Sequence, residues 1–509
     1  MRQSPALMSG IEPRLTPKSL GLVGIAGLVA VAILTAPPVP AAAALLVGSA
    51  LVLFLVRPLT GAFLATLVHP VGSIKAMIRV GFSRPMDVYL FEALDLLLLL
   101  VLIVRAVANR DRTGGAGWKL SAEERWIWFF FAAFVAWTGF GLVRSGNLTR
   151  DLFGMVRLDC NFVLMLFVAR YLNDYRTCIR LLTWYCGVAF VFCSAALYAS
   201  YYAAYSRDYL HVAPDWSIAT EASLFNTSAG FNAAIVGLVP GFGLCGKHEL
   251  GMLLSAAVVF SLLLLRHYRD RRVRFLLVLC ILLFETIIYQ AFIKLSIVGT
   301  FLILGTLCVA IAPWRRWVVP IMVGLIALNL TGFFAARAVE PSHTQKVEST
   351  AGVLRKTASR SRFQFGSIAQ RADLWSRSFG RIVSSRGLGN GPDSLSYDLP
   401  FNSPIAHNWV LNFMADYGVV PALFVVAALL GVLVRAYRRL SGQVRVRDSV
   451  WLLQLGCSLT VISALFEYSL DCFLWWPHLW FMIGLLLAVL RLPAAEDGVP
   501  RTGAAVAAV

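Results

Sequence analysis

Charge is scarce in this chain. Only 14% of its 509 residues are Asp, Glu, Lys or Arg, against about 25% in an ordinary soluble domain. Acid is scarcer than base, with 27 Asp and Glu against 45 Lys and Arg. The nine cysteines form no CxxC pair and most sit inside apolar runs, which excludes a disulfide framework and a thiolate metal site. No HExxH, DxD or Walker A pattern occurs, so neither a metal nor another cofactor is expected. Polar residues extend to about position 19 before an anchor-like first apolar run, so no cleavable signal pattern is expected.

Apolar residues fill that space. They make up 59% of the chain, the mean hydropathy is +0.73, and they come in runs of about twenty residues, the length that crosses a bilayer. The expected fold class is an all-α polytopic membrane protein of about 12–14 transmembrane helices. Candidate spans lie near 20–36, 41–56, 88–104, 126–143, 152–171, 181–203, 249–265, 275–293, 295–312, 317–335, 409–434, 450–470 and 477–491, with a weaker stretch at 59–74.

The formal charge of +18 follows from membrane topology rather than from nucleic-acid binding, because no RNA- or DNA-reading module is present. Basic residues cluster in short connections: Arg105 to Arg125, Arg266 to Arg274, Arg315 and Arg316, and Arg435 to Arg447. Placing all four clusters in the cytoplasm leaves an even number of crossings between them, as the positive-inside rule requires. The expected organisation is then a cytoplasmic tail at 1–19 and transmembrane helices over 20–335 with an outer loop at about 204–248. A large periplasmic loop at 336–407, C-terminal transmembrane helices over 408–491 and a cytoplasmic tail at 492–509 complete it.

Within the large loop, Ile368, Ala372, Trp375, Phe379 and Ile382 recur at helical spacing and predict an amphipathic helix. Arg371 lies one turn before Trp375. The loop ends at "AHNW", where His407 and Asn408 stand at the outer mouth of a span, and Asp416 follows two turns on. A neutral imidazole can take a proton from a hydroxyl, and an amide offers both donor and acceptor groups. An ionisable residue at membrane depth is a functional candidate by default. A guanidinium matches phosphate oxygens bidentately. Lys294, in a tight outer turn, adds a second cation, and Lys247, His248 and Glu249 place a base, an imidazole and an acid at another span entrance. Each has a plainer reading, as a helix cap, a lipid-headgroup anchor or a snorkelling side chain. Glu467 and Asp471, four apart, are weaker supporting candidates. His69, His211, His267, His343 and His478 carry no supporting pattern.

Taken in order, "RADLW" (371–375), "GLGNGP" (387–392), "AHNWVLN" (406–412) and "ADYG" (415–418) resemble the O-antigen ligase and exopolysaccharide polymerase superfamily, bacterial inner-membrane glycosyltransferases. The resemblance is detailed over about 365–435 and looser over 240–310. Two positions depart from the family pattern: Glu249 stands where Asn is common, and Lys294 with Ser296 replaces a Ser-Arg pair.

The resemblance implies a metal-independent, inverting transfer of glycan from an undecaprenyl-diphosphate-linked oligosaccharide at the periplasmic face of the inner membrane. The acceptor would be a lipid-linked glycan (a polymerase), or lipid A-core or a protein (a ligase). His407 would be the catalytic base, Arg371 and Lys294 the diphosphate ligands, and Asn408, Asp416, Lys247, His248 and Glu249 supporting residues. Expected partners are the lipid-linked donor, the acceptor glycan, membrane lipid and a chain-length regulator, with no nucleic acid. A transporter or flippase is disfavoured because the candidate charges lie at span ends rather than at the midplane in repeated halves.

The sidedness has a direct test. A reporter fused within 336–407 is expected to read as extracytoplasmic, and one within 435–447 as cytoplasmic. Two fusions on the same side would overturn the topology and the site with it.

Overall fold

The protein is described by a computed structural model. The described residues are mainly 121–142, 148–172, 174–205, 247–290, 294–310, 366–391, 408–442, 449–469 and 477–493, with short pieces within 56–63, 75–78, 86–89, 96–104 and 319–324.

Most of these residues are helical. The helices are α1 (Ala122–Leu142), α2 (Leu148–Tyr171), α3 (Tyr175–Tyr205), α4 (Lys247–His267), α5 (Arg271–Gln290) and α6 (Lys294–Ala310). They continue with α7 (Gly366–Ser384), α8 (Trp409–Asp416), α9 (Val419–Gly442), α10 (Ser449–Ser469) and α11 (Pro477–Val489). Two of them, at Val419–Gly442 and Ser449–Glu467, are long and apolar enough to cross a membrane, and shorter apolar helices cover Gly251–His267, Ser296–Leu307 and Pro477–Val489. The segments expected as spans over 126–312 correspond to helices α1 to α6, with ends that agree to within six residues. The expected spans at 20–36 and 41–56, the outer loop at 204–248 beyond Tyr205, and most of 317–335 lie outside the described residues.

Two departures stand out. A two-stranded antiparallel ribbon, β1 (Lys75–Ile78) and β2 (Met86–Tyr89), pairs Lys75 with Tyr89 and Ile78 with Met86. Its second strand occupies the start of the span expected at 88–104, whose helix is described only from residue 96. Four-residue strands leave no period long enough to distinguish them from the apolar flank of a helix. The second departure is the span expected at 409–434, which is two helices, α8 and α9, broken at Tyr417 and Gly418.

α4 packs against α3, α5, α6 and α10, while α11 packs chiefly against α2 and α10. Every residue of α11 is buried, as are those of α4 from Gly251 to Leu264, and a helix that is apolar on all sides belongs inside a bundle. The outer helices instead expose large apolar side chains, among them Phe129, Trp184, Phe275, Leu302 and Leu430.

One end of the bundle is tied by arginines. Ser121 caps α1: the Glu124 N–H donates to Ser121 Oγ (3.2 Å), and the Ser121 N–H donates to Glu124 Oε2 (2.9 Å), which is a capping box. The other carboxylate oxygen, Oε1, accepts from Arg491 Nε after α11 and lies 3.3 Å from Arg435 Nη2 on α9. Arg491 Nη1 also donates to the Ala169 carbonyl near the end of α2 (2.8 Å), and Arg439 Nη2 donates to that of Leu492 (3.1 Å). The start of α1 and the ends of α9 and α11 therefore meet on one carboxylate, and Arg491 ties the end of α2 to the same group. Burial raises the Glu124 pKa, but the Ser121 N–H and the Arg491 and Arg435 guanidiniums outweigh it and hold the carboxyl below its ordinary value.

A depressed folded-state pKa stabilises the fold at neutral pH, and that contribution is lost as pH falls through the folded value. Glu124→Gln leaves two guanidiniums without their anion and is expected to destabilise the protein by about 3 kcal/mol. It should also remove part of the loss of stability that the parent shows as pH falls below the ordinary carboxylate range. Thermal unfolding of both proteins from pH 7 down to pH 4 checks this; an unchanged pH profile in the variant would contradict it.

Candidate functional site

The opposite end of the bundle is organised by a glycine turn. α7 ends in a Schellman motif, in which the Gly387 N–H donates to the Ile382 carbonyl (2.8 Å) and the Arg386 N–H to that of Val383 (2.9 Å). Arg386 takes the left-handed conformation there, with φ of 53°.

The turn then bridges the break between α8 and α9. The Asn390 N–H donates to the Ala415 carbonyl (3.0 Å), the Gly391 N–H to that of Asp416 (2.9 Å), and the Gly387 carbonyl accepts from the Val419 N–H (2.8 Å). Asn390 Nδ2 donates to the Ala415 carbonyl as well (3.0 Å). The last carbonyls of a helix and the first N–H groups of the next lack intrahelical partners, and here the turn supplies them. Gly418 makes the break possible with φ of 105°. Gly389 lies so close that a Cβ there would sit 2.5 Å from the Asp416 carbonyl oxygen.

These contacts place the residues selected from the sequence. Asn408 is the N-cap of α8, its Oδ1 accepting from the Leu411 N–H at 3.1 Å. Its side-chain oxygen thus bonds backbone. Asp416 is the buried last residue of α8, at the break rather than two turns inside a continuous span. Arg371 lies on α7, at register positions i, i+4, i+7 and i+11 with Trp375, Ser378 and Ile382. Ser378 is buried on that stripe, and Trp375 and Ile382 pack against Ala415 of α8. Phe379, expected on the buried face, is 55% exposed, because the stripe that meets α8 is rotated to one side of it. Lys294 is the first residue of α6, and Lys247, His248 and Glu249 are the first three of α4. The side chains of Arg371, Lys294, Lys247, His248 and Glu249 are not among the described residues, and His407 lies wholly outside them, directly before the Asn408 cap.

The structure adds residues that sequence reasoning passed over. Asp151, near the start of α2, is buried with its carboxylate against Gly391, where any Cβ would strike it. Its only sequence signal was an acid in the first turn of a helix. Glu467, a weak candidate, is buried near the end of α10; its Oε2 accepts from Ser296 Oγ at 2.7 Å, tying α10 to the start of α6. His478, set aside in the sequence, is buried near the start of α11, 2.5 Å from Tyr185 Oη through Nε2. Asp471 lies outside the described residues. Among the described residues, no three His, Cys, Asp or Glu side chains converge as metal ligands.

The same end of the bundle thus carries the starts of α2, α6 and α11, the α7 turn, the end of α8 and the end of α10. Chemically, it offers backbone N–H groups at helix starts, which favour anions, together with buried carboxylates.

The glycine turn gives a stability test. Gly389→Ala adds a Cβ where the backbone has φ of 86° and the Asp416 carbonyl leaves no room. It is expected to lower the unfolding midpoint of the detergent-solubilised protein by several degrees. Gly380→Ala, within α7 and with nothing within 4 Å of its Cβ, should match the parent or exceed it. Equal midpoints for the two variants would refute the interlock. No family model matches the chain, and no curated protein matches it.

Proposed function

We propose that the chain is a multi-pass glycosyltransferase of the bacterial inner membrane, which transfers glycan from a lipid diphosphate at its outer face and polymerises a surface polysaccharide. The observation that carries this reading is the interlock of the α7 turn with the α8–α9 break. It puts the helix bearing Arg371 directly against the short helix that Asn408 caps, the residue that follows His407 in the sequence. The apolar side chains exposed on the outer helices support membrane residence beyond the two helices that are long and apolar enough to cross a bilayer.

In the proposed reaction, the acceptor hydroxyl attacks the anomeric carbon from the face opposite the diphosphate. The carbon–oxygen bond to the diphosphate breaks, and the configuration inverts. His407 takes the hydroxyl proton. Arg371 and Lys294 bind the negative charge that grows on the leaving diphosphate, Arg371 as a fork and Lys294 as a point charge. Asn408 contributes by fixing the start of α8. Asp416 and Asp151 act further in, setting the break and the turn. Lys247, His248 and Glu249 open α4 at the same end and support acceptor binding. A ligase would use the same donor chemistry with a different acceptor.

The two principal residues are separable by experiment. His407→Ala is expected to lower transfer from a lipid-linked saccharide by about 10²–10⁴-fold, with undecaprenyl diphosphate binding nearly kept. Arg371→Ala should weaken that binding as well as transfer, because the diphosphate is charged in both the ground and the transition state. Arg371→Lys should recover part of the loss. Transfer at the parental rate by folded His407→Ala protein would make the residue an interfacial cap and remove this mechanism.

A further inference from the structure

The start of α3 and the turn from α4 to α5 meet at the arginine end of the bundle. Tyr175 Oη and His267 Nδ1 lie 3.3 Å apart, and Thr183 Oγ1 lies 3.1 Å from Tyr268 Oη, which holds α3 beside the end of α4. Six exposed arginines gather there: Arg176 and Arg180 on α3, Arg266 and Arg269 around the end of α4, and Arg271 and Arg272 at the start of α5. The two aspartates beside them serve as helix caps. Asp174 Oδ1 accepts from the Thr177 N–H (2.8 Å), and Asp270 Oδ1 accepts from the Arg272 N–H (2.8 Å). Among the described residues, none of the six arginines is in an ion pair. The α1, α9 and α11 side of the same end differs, because Glu123 and Glu124 hold Arg435, Arg438 and Arg491 there.

Further along α3 the surface turns apolar. Arg176, Arg180, Trp184, Gly187 and Val191 are all exposed and recur at spacings of four, four, three and four, which makes one stripe. Trp184 packs against Phe63, with ring centroids 6.4 Å apart, and is still 61% exposed. Nothing lies within 4 Å of a Cβ built at Gly187, so the stripe has an open notch between Trp184 and Val191. From Arg180 to Val191 it rises about 16 Å, close to the hydrocarbon depth of one leaflet, about 15 Å. The neighbouring α5 repeats the order: Arg272 is followed by exposed Phe275, Leu276 and Leu279.

We propose that the α3 stripe is a binding site for an anionic phospholipid, whose phosphate is held by Arg176 and Arg180 and whose acyl chain lies along Trp184, Gly187 and Val191. Guanidiniums match phosphate oxygens, and basic residues grouped where helices leave a bilayer attract anionic headgroups. Trp184 stands between the two parts, at the level where indole rings anchor a membrane interface. The arginines of the α4–α5 turn add to the attraction. A soluble anion makes no use of the apolar stripe, and a zwitterionic lipid does not neutralise the charge. The site rests on the membrane residence proposed above, but not on glycosyl transfer, and it lies at the end of the bundle opposite the α7 turn.

The double variant Arg176→Gln with Arg180→Gln removes both charges from exposed positions and leaves the Asp174 cap in place. Phosphatidylglycerol added to the protein in a neutral detergent is expected to raise the parent's unfolding midpoint by several degrees. The double variant should need about thirtyfold more of it for the same rise. An unchanged parent midpoint, or an equal response of both proteins, overturns the proposal. Arg125→Gln removes the same charge at the same end, at the start of α1, and should respond as the parent does. A response reduced as far as in the double variant makes the attraction diffuse and overturns the site.

Two further arms fix the chemistry. Phosphatidylcholine carries the tails without net charge, and glycerol phosphate carries the charge without tails. Neither should raise the parent's midpoint where phosphatidylglycerol does. An equal rise with glycerol phosphate assigns the arginines to a soluble anion, an equal rise with phosphatidylcholine assigns the effect to any lipid, and either result overturns the site. Native mass spectrometry gives a second measurement on a milder variant: phosphatidylglycerol retained by the parent and lost from Arg180→Gln supports the site, and equal retention refutes it. None of these measurements involves transfer, so a protein that transfers no glycan can still show the site.

Discussion

Buried backbone groups must find hydrogen-bond partners, and that constraint is hardest to meet where a helix breaks inside a bundle. α8 ends and α9 begins within two residues, which leaves carbonyls at Ala415 and Asp416 and an N–H at Val419 in need of partners. The glycine turn after α7 meets all three with groups of its own. This single arrangement fixes the depth of α7, the direction of α8 and the close seating of Gly391 against Asp151. A bulkier residue at 389 or 391 would have no place to put its side chain.

The two ends of the bundle handle polarity differently. At the arginine end, one carboxylate gathers two guanidiniums and a capped helix start, so charge is neutralised locally and four helix termini are held at one level. At the other end, the described polar contacts are dominated by hydroxyls, carboxylates and an imidazole. Ser296 with Glu467, and Tyr185 with His478, link helices through hydrogen bonds rather than ion pairs. Gly299 tightens this region further, because a Cβ there would sit 2.5 Å from Ser463 Oγ; the α6–α10 contact depends on that missing methyl group.

The sequence foretold the helices best where an apolar run ends in charge. α4 and α6 begin and end close to the expected limits because lysines and arginines mark their boundaries. The α8–α9 break escaped because residues 409 to 434 read as one apolar run. What interrupts it is a turn more than twenty residues earlier in the chain, and Gly418 alone does not reveal a bend. Glu467 and His478 were hard to rank for a similar reason. Their partners lie 171 and 293 residues away, and periodicity carries no information over such separations. The orientation of α7 was half legible: its amphipathic character showed in the spacing, but which flank meets α8 depends on Ala415 and Leu411, leaving Phe379 outside the contact.

The interlock also bears on how freely the chain can vary. Gly391 is tied to the end of α8 and Asn408 caps its start, so residues 392–407 run between two feet separated by one eight-residue helix, or about 12 Å. Once such feet are fixed, lengthening the connection is thermodynamically mild: doubling a flexible loop adds only about 0.6 kcal/mol of closure entropy. The register of α7, α8 and α9 is therefore set by the turn and the cap themselves.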